Sequence, residues 1–150
     1  MFKGRYSHTL DSKGRLSIPS KFREVLADHQ EDVLILTNFD SCLLGFTQEE
    51  WRLLEEKIRG QSMFSTMLRQ DMRAFVRYFF SGATECPLDR QGRVLIPPSL
   101  REFAELEKEV VLLGLANRIE IWSRKKWDGF LKESRDNFEE IAAKLSELGM

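Results

Sequence analysis

Cysteine and histidine are scarce in this chain of 150 residues, with two of each. Cys42 and Cys86 make no disulfide framework and fit a reducing cytosol. His8 and His29 stand at no metal-ligand spacing with each other or with the cysteines, so no metal site is expected. There is no run of about 18 apolar residues, which argues against a membrane-spanning helix. The opening Met1-Phe-Lys-Gly-Arg5 lacks a signal-peptide core. The expectation is a cytoplasmic protein with no membrane partner.

The residues of an active site are equally thin. Ser7, His8 and Asp11 are close in sequence, but a strand sends Ser7 and His8 to opposite faces and spoils a nucleophile–base pair. Gly14 and Gly92 stand singly, not as a phosphate-cradling loop. The glutamates fall on helical stretches and read as solvated faces. No catalytic residue, cofactor or small-molecule substrate is expected, and the chain is not read as an enzyme.

Net charge is also nearly absent, at −1, yet its distribution is uneven. Residues 1–23 hold Lys3, Arg5, Lys13, Arg15, Lys21 and Arg23 against Asp11, a local charge of +5. Residues 79–101 hold Arg90, Arg93 and Arg101 against Glu85 and Asp89, a local charge of +1, and the remainder is acidic. A cationic patch on an acidic body is the electrostatic footprint of a polyanion binder. Chance clustering at a solvated end is the competing explanation.

What the chain has is repetition. Moving the sequence by 78 positions superposes Leu10, Asp11, Gly14, Arg15, Ile18, Pro19, Arg23 and Glu24 on identical residues, Leu88 through Glu102. Val33-Leu34 meets Val111-Leu112, and after a small slip Gly45 through Trp51 meets Ile121 through Trp127. One structural unit is used twice. Each copy alone has too little chain for a comfortable core, so the two are expected to share one. The organisation reads as a first repeat over 1–59, a connecting helix over 60–79, and a second repeat with a C-terminal helix over 80–150.

Within the first copy, Arg5 to Leu10 alternates as a strand would, Asp11-Ser-Lys-Gly14 punctuates, and Arg15-Leu-Ser-Ile18 resumes alternation. This predicts a hairpin, with Asp11 accepting backbone N–H groups two or three residues on and Gly14 taking the positive φ. Asp89 and Gly92 repeat the arrangement. Pro19 and Pro97 are placed at first helical positions, followed by helices with Phe22, Val25 and Leu26, or Leu100, Phe103 and Ala104, on their apolar faces. Strands follow at Val33–Thr37, Cys42–Phe46, Val110–Leu113 and Ile119–Trp122. Thr47 with Glu50 has capping-box spacing before a helix burying Trp51, Leu54 and Ile58, and Ser123 starts its counterpart with Trp127, Phe130 and Leu131. Leu68, Met72, Phe75, Val76 and Phe79 form a helical stripe, as do Phe138, Ile141, Leu145 and Leu148. The last is either intramolecular packing or a subunit contact.

Lys13 and Arg15 flank the turn, with Lys3 and Arg5 on the entering strand. Arginine bidentate to guanine is the commonest specific base contact, and lysines alongside would hold phosphates. Arg15 has a second reading, a structural ion pair with Asp11 that need not exclude DNA. Arg93 has both readings, tilted toward structure by its near-neutral surroundings.

The doubled Leu-Asp-x-x-Gly-Arg-x-x-Ile-Pro motif resembles the swapped-hairpin DNA-binding domains of the AbrB and SpoVT type. Two copies behind Met-Phe-x-Gly, with Asp11–Arg15 and Asp89–Arg93, are similar over essentially the whole chain to the MraZ transcriptional regulators. The resemblance implies an α+β fold in which the two repeats interleave into a pseudo-two-fold swapped-hairpin barrel with flanking helices. It also implies closed homo-oligomeric rings, an octamer or dodecamer, associated with the nucleoid. The implied partner is double-stranded DNA, as short G-rich direct repeats in the promoter of the division and cell-wall gene cluster. The implied DNA contacts are Lys3, Arg5, Lys13, Arg15, Arg23 and Arg93, with Asp11, Gly14, Asp89 and Gly92 shaping the loops. His8 stands where AbrB usually has arginine, and Cys86 stands there in the second copy, which tilts the reading toward the first copy. Two alternatives share these residues: a non-specific nucleoid-associated protein, and an antitoxin-like interaction module using the C-terminal stripe.

Overall fold

The computed structural model describes residues 1–60 and 70–150. The first copy runs β1 (Phe2–Thr9), β2 (Arg15–Ser17), α1 (Ser20–Asp28), β3 (Val33–Phe39), β4 (Cys42–Phe46) and α2 (Gln48–Gly60). After α3 (Gln70–Ser81), the second runs β5 (Thr84–Pro87), β6 (Arg93–Leu95), α4 (Pro98–Phe103), β7 (Glu109–Ala116), β8 (Ile119–Ser123) and α5 (Arg124–Glu147). Of the connecting helix expected over 60–79, Gly60 is instead the last residue of α2 and α3 holds the part from Gln70 onward; the stripe residue Leu68 lies outside the described residues.

The strands pair across the copies. A six-stranded antiparallel sheet has the order β1-β7-β8-β4-β3-β5, and β2 pairs with β6 in a separate two-stranded ribbon. Each copy's first strand thus lies against the other copy's third. The predicted β1–β2 hairpin forms only at its turn, through one bridge between Leu10 and Leu16. Beyond it β1 takes a full register with β7, from Phe2 opposite Ala116 to Thr9 opposite Glu109. A three-residue β2 could not satisfy an eight-residue partner, whereas β7 can. The sheet is open, with β1 and β5 at its edges, so the closed barrel expected from the resemblance is not what is seen.

Alternation sorts the sheet into two faces. One face (Leu34, Leu36, Leu43, Leu112, Ile119, Ile121) packs with Leu16, Ile18, Phe22, Val94, Ile96 and Leu100 of the ribbon, α1 and α4. The other (Ile35, Leu44, Phe46, Val111, Leu113, Trp122) is covered by Phe79 and half-buried Trp51, Leu54 and Trp127. The shared core is real: both copies contribute to each cluster. The ribbon lies on one side of the sheet and α2, α3 and α5 on the other.

Helix starts follow the sequence with two changes. Pro19 and Pro97 sit one residue earlier than expected, as N-caps with ψ of 141°. In the second copy Pro98 takes the first helical position, and a residue before proline is held extended. Thr47 Oγ1 accepts the Glu50 N–H at 3.1 Å, but the reciprocal arm goes elsewhere, because Glu50 accepts from Asn117 at 3.5 Å. Glu31 caps the next two donors, accepting from Gln48 N–H at 2.5 Å and Glu49 N–H at 3.3 Å. Ser123 caps α5 as expected, accepting from Lys126 N–H at 3.0 Å.

Two apolar faces are less buried than predicted. Trp51, Leu54 and Ile58 are only half-buried. Among the described residues only the beginning of α5 is covered, where Trp127 stacks with Phe130 and meets Trp122. Phe138, Ile141 and Leu145 remain 44%, 48% and 39% exposed, so packing among the described residues does not account for the stripe.

Candidate nucleic-acid interface

The site is built from two copies of one turn. Asp11 Oδ1 accepts the backbone N–H groups of Lys13 and Arg15, both at 2.9 Å, while Oδ2 accepts Arg15 Nε at 2.6 Å. Asp11 N–H bonds Arg15 O at 3.0 Å, and Gly14 N–H bonds Asp11 O at 3.0 Å. Gly14 closes the turn at φ +85°. Asp89 repeats this with Gln91 and Arg93, all three bonds to its carboxylate at 2.9 Å, and Gly92 sits at φ +75°. The backbone N–H groups of Arg15 and Arg93 are the main reason that both carboxyls lie below their ordinary pKa of 3.8; the guanidinium bonds add to it. Both open readings of Arg15 and Arg93 therefore begin from an observed ion pair.

The turns deliver their arginines to one surface. In the ribbon, Arg15 lies opposite Leu95, Leu16 opposite Val94, and Ser17 opposite Arg93. Leu16 and Val94 are 0% exposed and point into the core. Alternation then turns Arg15, Ser17, Arg93 and Leu95 outward together. Two bonds across the copies tie each turn to the opposite strand's end: Ile18 N–H to Gly92 O at 2.9 Å and Ile96 N–H to Gly14 O at 3.0 Å. The ion pairs use Nε, leaving the guanidinium tips at the surface with the side chains 32% and 26% exposed.

The remaining cations are distributed differently from the sequence expectation. Arg23 donates Nε to Ile18 O at 3.1 Å and lies over the second turn, where a Cβ on Gly92 would come within 2.6 Å of its Cδ. Arg101, not singled out as a contact, lies over the first turn, where a Cβ on Gly14 would meet its Cζ at 2.5 Å, but its buried Nε has no hydrogen-bond partner among the described residues. The identity of Arg23 and Arg101 in the repeat was the available signal, but nothing local says that each helix covers the other copy's turn. Lys13 is exposed at the first turn, and Arg90 at the second.

Lys3 and Arg5 do not join this group. They share a face of β1 with Ser7, which turns toward α5: the Arg5 guanidinium lies 5.8 Å from the Trp127 ring centroid, and Arg124 donates to Ser7 Oγ at 3.1 Å. Tyr6, on the opposite face, packs on Phe22 of α1. Each turn has three cations near its aspartate: Lys13, Arg15 and Arg101 with Asp11, and Arg90, Arg93 and Arg23 with Asp89. Glu102, Glu105 and Glu107 line the same hollow as Asp11 and Arg101. With Lys3 and Arg5 on the far side of the sheet and Arg23 at the second turn, the local charge of +5 in residues 1–23 is not gathered at the first turn. Cys86 is 2% exposed in the core, its thiol pushed up to about 11 by burial, and His8 is half-buried opposite Val110.

Among the described residues, no three or more His, Cys, Asp or Glu side chains gather as metal ligands, and no helix is long and apolar enough to cross a membrane. What the site defines is a duplicated, strand-exchanged protein with two aspartate-clamped arginines on a shared β-ribbon.

Comparison with known proteins gives that class a family. The family model described as "MraZ protein, putative antitoxin-like" matches residues 1–74 and 79–148. A protein of Halothermothrix orenii named Transcriptional regulator MraZ is 49% identical over 150 residues, covering all of both chains. The protein of that name from Alkaliphilus metalliredigens is 48% identical over 150 residues, again covering all of both. The one from Moorella thermoacetica is 48% identical over 145 residues, 97% of this chain and 96% of its own. This chain belongs to the MraZ family.

Proposed function

We propose that this protein is a transcriptional regulator that reads double-stranded DNA with the outward face of the β2–β6 ribbon. The observation that carries this is the pair of aspartate-clamped arginines on that face. A two-stranded ribbon fits the major groove, which is about 12 Å wide. Arg15 and Arg93 are diagonal neighbours, about 7–8 Å apart at the backbone. That spans roughly two base-pair steps of 3.4 Å. Fixing Nε aims each guanidinium tip outward, as bidentate contact with guanine O6 and N7 needs. Lys13 and Arg90 at the turns are placed for phosphates, with Arg23 and Arg101 behind them. Lys3 and Arg5 belong to another surface and are not prime contacts.

The finer reading follows the family resemblance: G-rich direct repeats in the promoter of the division and cell-wall cluster, bound by a closed ring of swapped-hairpin protomers at the nucleoid. Its support here is the exposed stripe on α5, on the side of the sheet away from the ribbon. Head-to-tail contacts through that side would repeat identical ribbons along a rim, and several weak contacts would multiply through effective concentration. The proposed division into 1–59, 60–79 and 80–150 describes a repeat and not independent folding units, because each sheet takes strands from both copies.

A gel-shift titration on the protein's own upstream region, with shuffled competitor and at two salt concentrations, tests the reading. Arg15→Ala is expected to weaken specific binding by about 10- to 100-fold, the worth of a bidentate arginine contact. Arg93→Ala is expected to match it, because the two arginines are clamped alike on one face. Binding that shuffled DNA removes equally would establish the non-specific alternative. Binding indifferent to both variants would leave the arginines as architecture and favour an interaction module.

A further inference from the structure

The outward face of the ribbon has four side chains, and only two of them obey the repeat. The pseudo-two-fold exchanges Arg15 with Arg93, which are identical, and Ser17 with Leu95, which are not. Leu95 is 56% exposed, directly opposite Arg15 and two residues from Arg93 on its own strand. Its neighbours Val94 and Ile96 are 0% exposed, so the core gives no reason for an apolar residue at 95. An exposed aliphatic group beside two surface arginines is chemically suited to one feature of the major groove, the thymine C5-methyl.

Resting on the DNA-reading proposal above, we infer that Leu95 is a specificity-determining residue that packs on a thymine methyl beside the guanines read by Arg15 and Arg93. Ser17, at the equivalent place, offers a hydroxyl that accepts either base. The consequence is polarity. Two arginines related by a two-fold would read a site equally well in either direction, and a pair of serines would keep that indifference. Leucine at one place and serine at the other makes the face directional.

The experiment uses the full chain and a randomised duplex pool. Duplexes enriched by the wild type are resynthesised with deoxyuridine in place of each thymine in turn, which removes one methyl and nothing else. At one thymine per box, the wild type is expected to bind the deoxyuridine duplex about fourfold more weakly, the worth of one buried methyl-sized group. Leu95→Ser should bind both duplexes alike, keep its dependence on Arg15, and melt at the wild-type temperature because residue 95 is largely exposed. Enriched duplexes that tolerate deoxyuridine everywhere overturn the inference while leaving the DNA-reading proposal standing. So does a thymine preference that survives in Leu95→Ser. A pool from which nothing is enriched overturns both.

Discussion

Asp11 performs three tasks with one carboxylate: it caps two backbone N–H groups, closes the turn, and orients the Arg15 guanidinium. Asp89 does the same for Arg93. Because both folded-state pKa values lie below the ordinary 3.8, these bonds contribute stability that is present above that value and lost as pH falls through the lower folded value. Melting temperature should therefore be insensitive to these groups between about pH 5 and 8 and fall only in stronger acid. Asp11→Asn should remove part of that acid limb in a thermal-melt series; an unchanged limb would show that Asp11 contributes nothing. Gly14 is constrained twice, by its φ of +85° and by Arg101 at 2.5 Å from any added Cβ. Gly14→Val should cost about 1–3 kcal/mol, or a melting point lower by roughly 3–9 °C for a chain of this size. A neutral result in calorimetry would mean that the turn does not need its left-handed conformation.

At the scale of elements, alternation and turn chemistry were legible, and partnership was not. Cys42–Phe46 is a strand with the predicted limits, and each turn aspartate accepts the expected N–H two residues on, with its second donor four residues on rather than three. Period-two patterning says which side of a strand is buried but not which strand lies beside it. That is why β1 reads as half of a hairpin and pairs instead with a strand more than a hundred residues away. It is also why Lys3 and Arg5 look adjacent to Lys13 along the chain and belong to the opposite face of the sheet. Glu31 as a cap for α2 had no local signature. The α5 stripe was legible as apolar, but its exposure required the fold. Ile141→Asp places a charge in the middle of that stripe. Assembly measured by sedimentation should weaken by about tenfold or more, with protomer melting unchanged. Wild-type protein that sediments as a protomer would refute self-association through this helix.

For the whole molecule, the strand order β1-β7-β8-β4-β3-β5 means that no copy owns its own sheet. The ribbon is shared in the same way, one strand from each half. During synthesis, β1 emerges first and must wait for Glu109–Ala116 before it has a partner. Contacts of such sequence separation are closed late and slowly. A chain halted after the first copy carries one edge of the ribbon, one clamped arginine and no surface against which either is fixed. If the ribbon reads DNA as proposed, that capacity arrives all at once, only after the second copy is made, and an unfinished chain cannot occupy the site meant for a finished one.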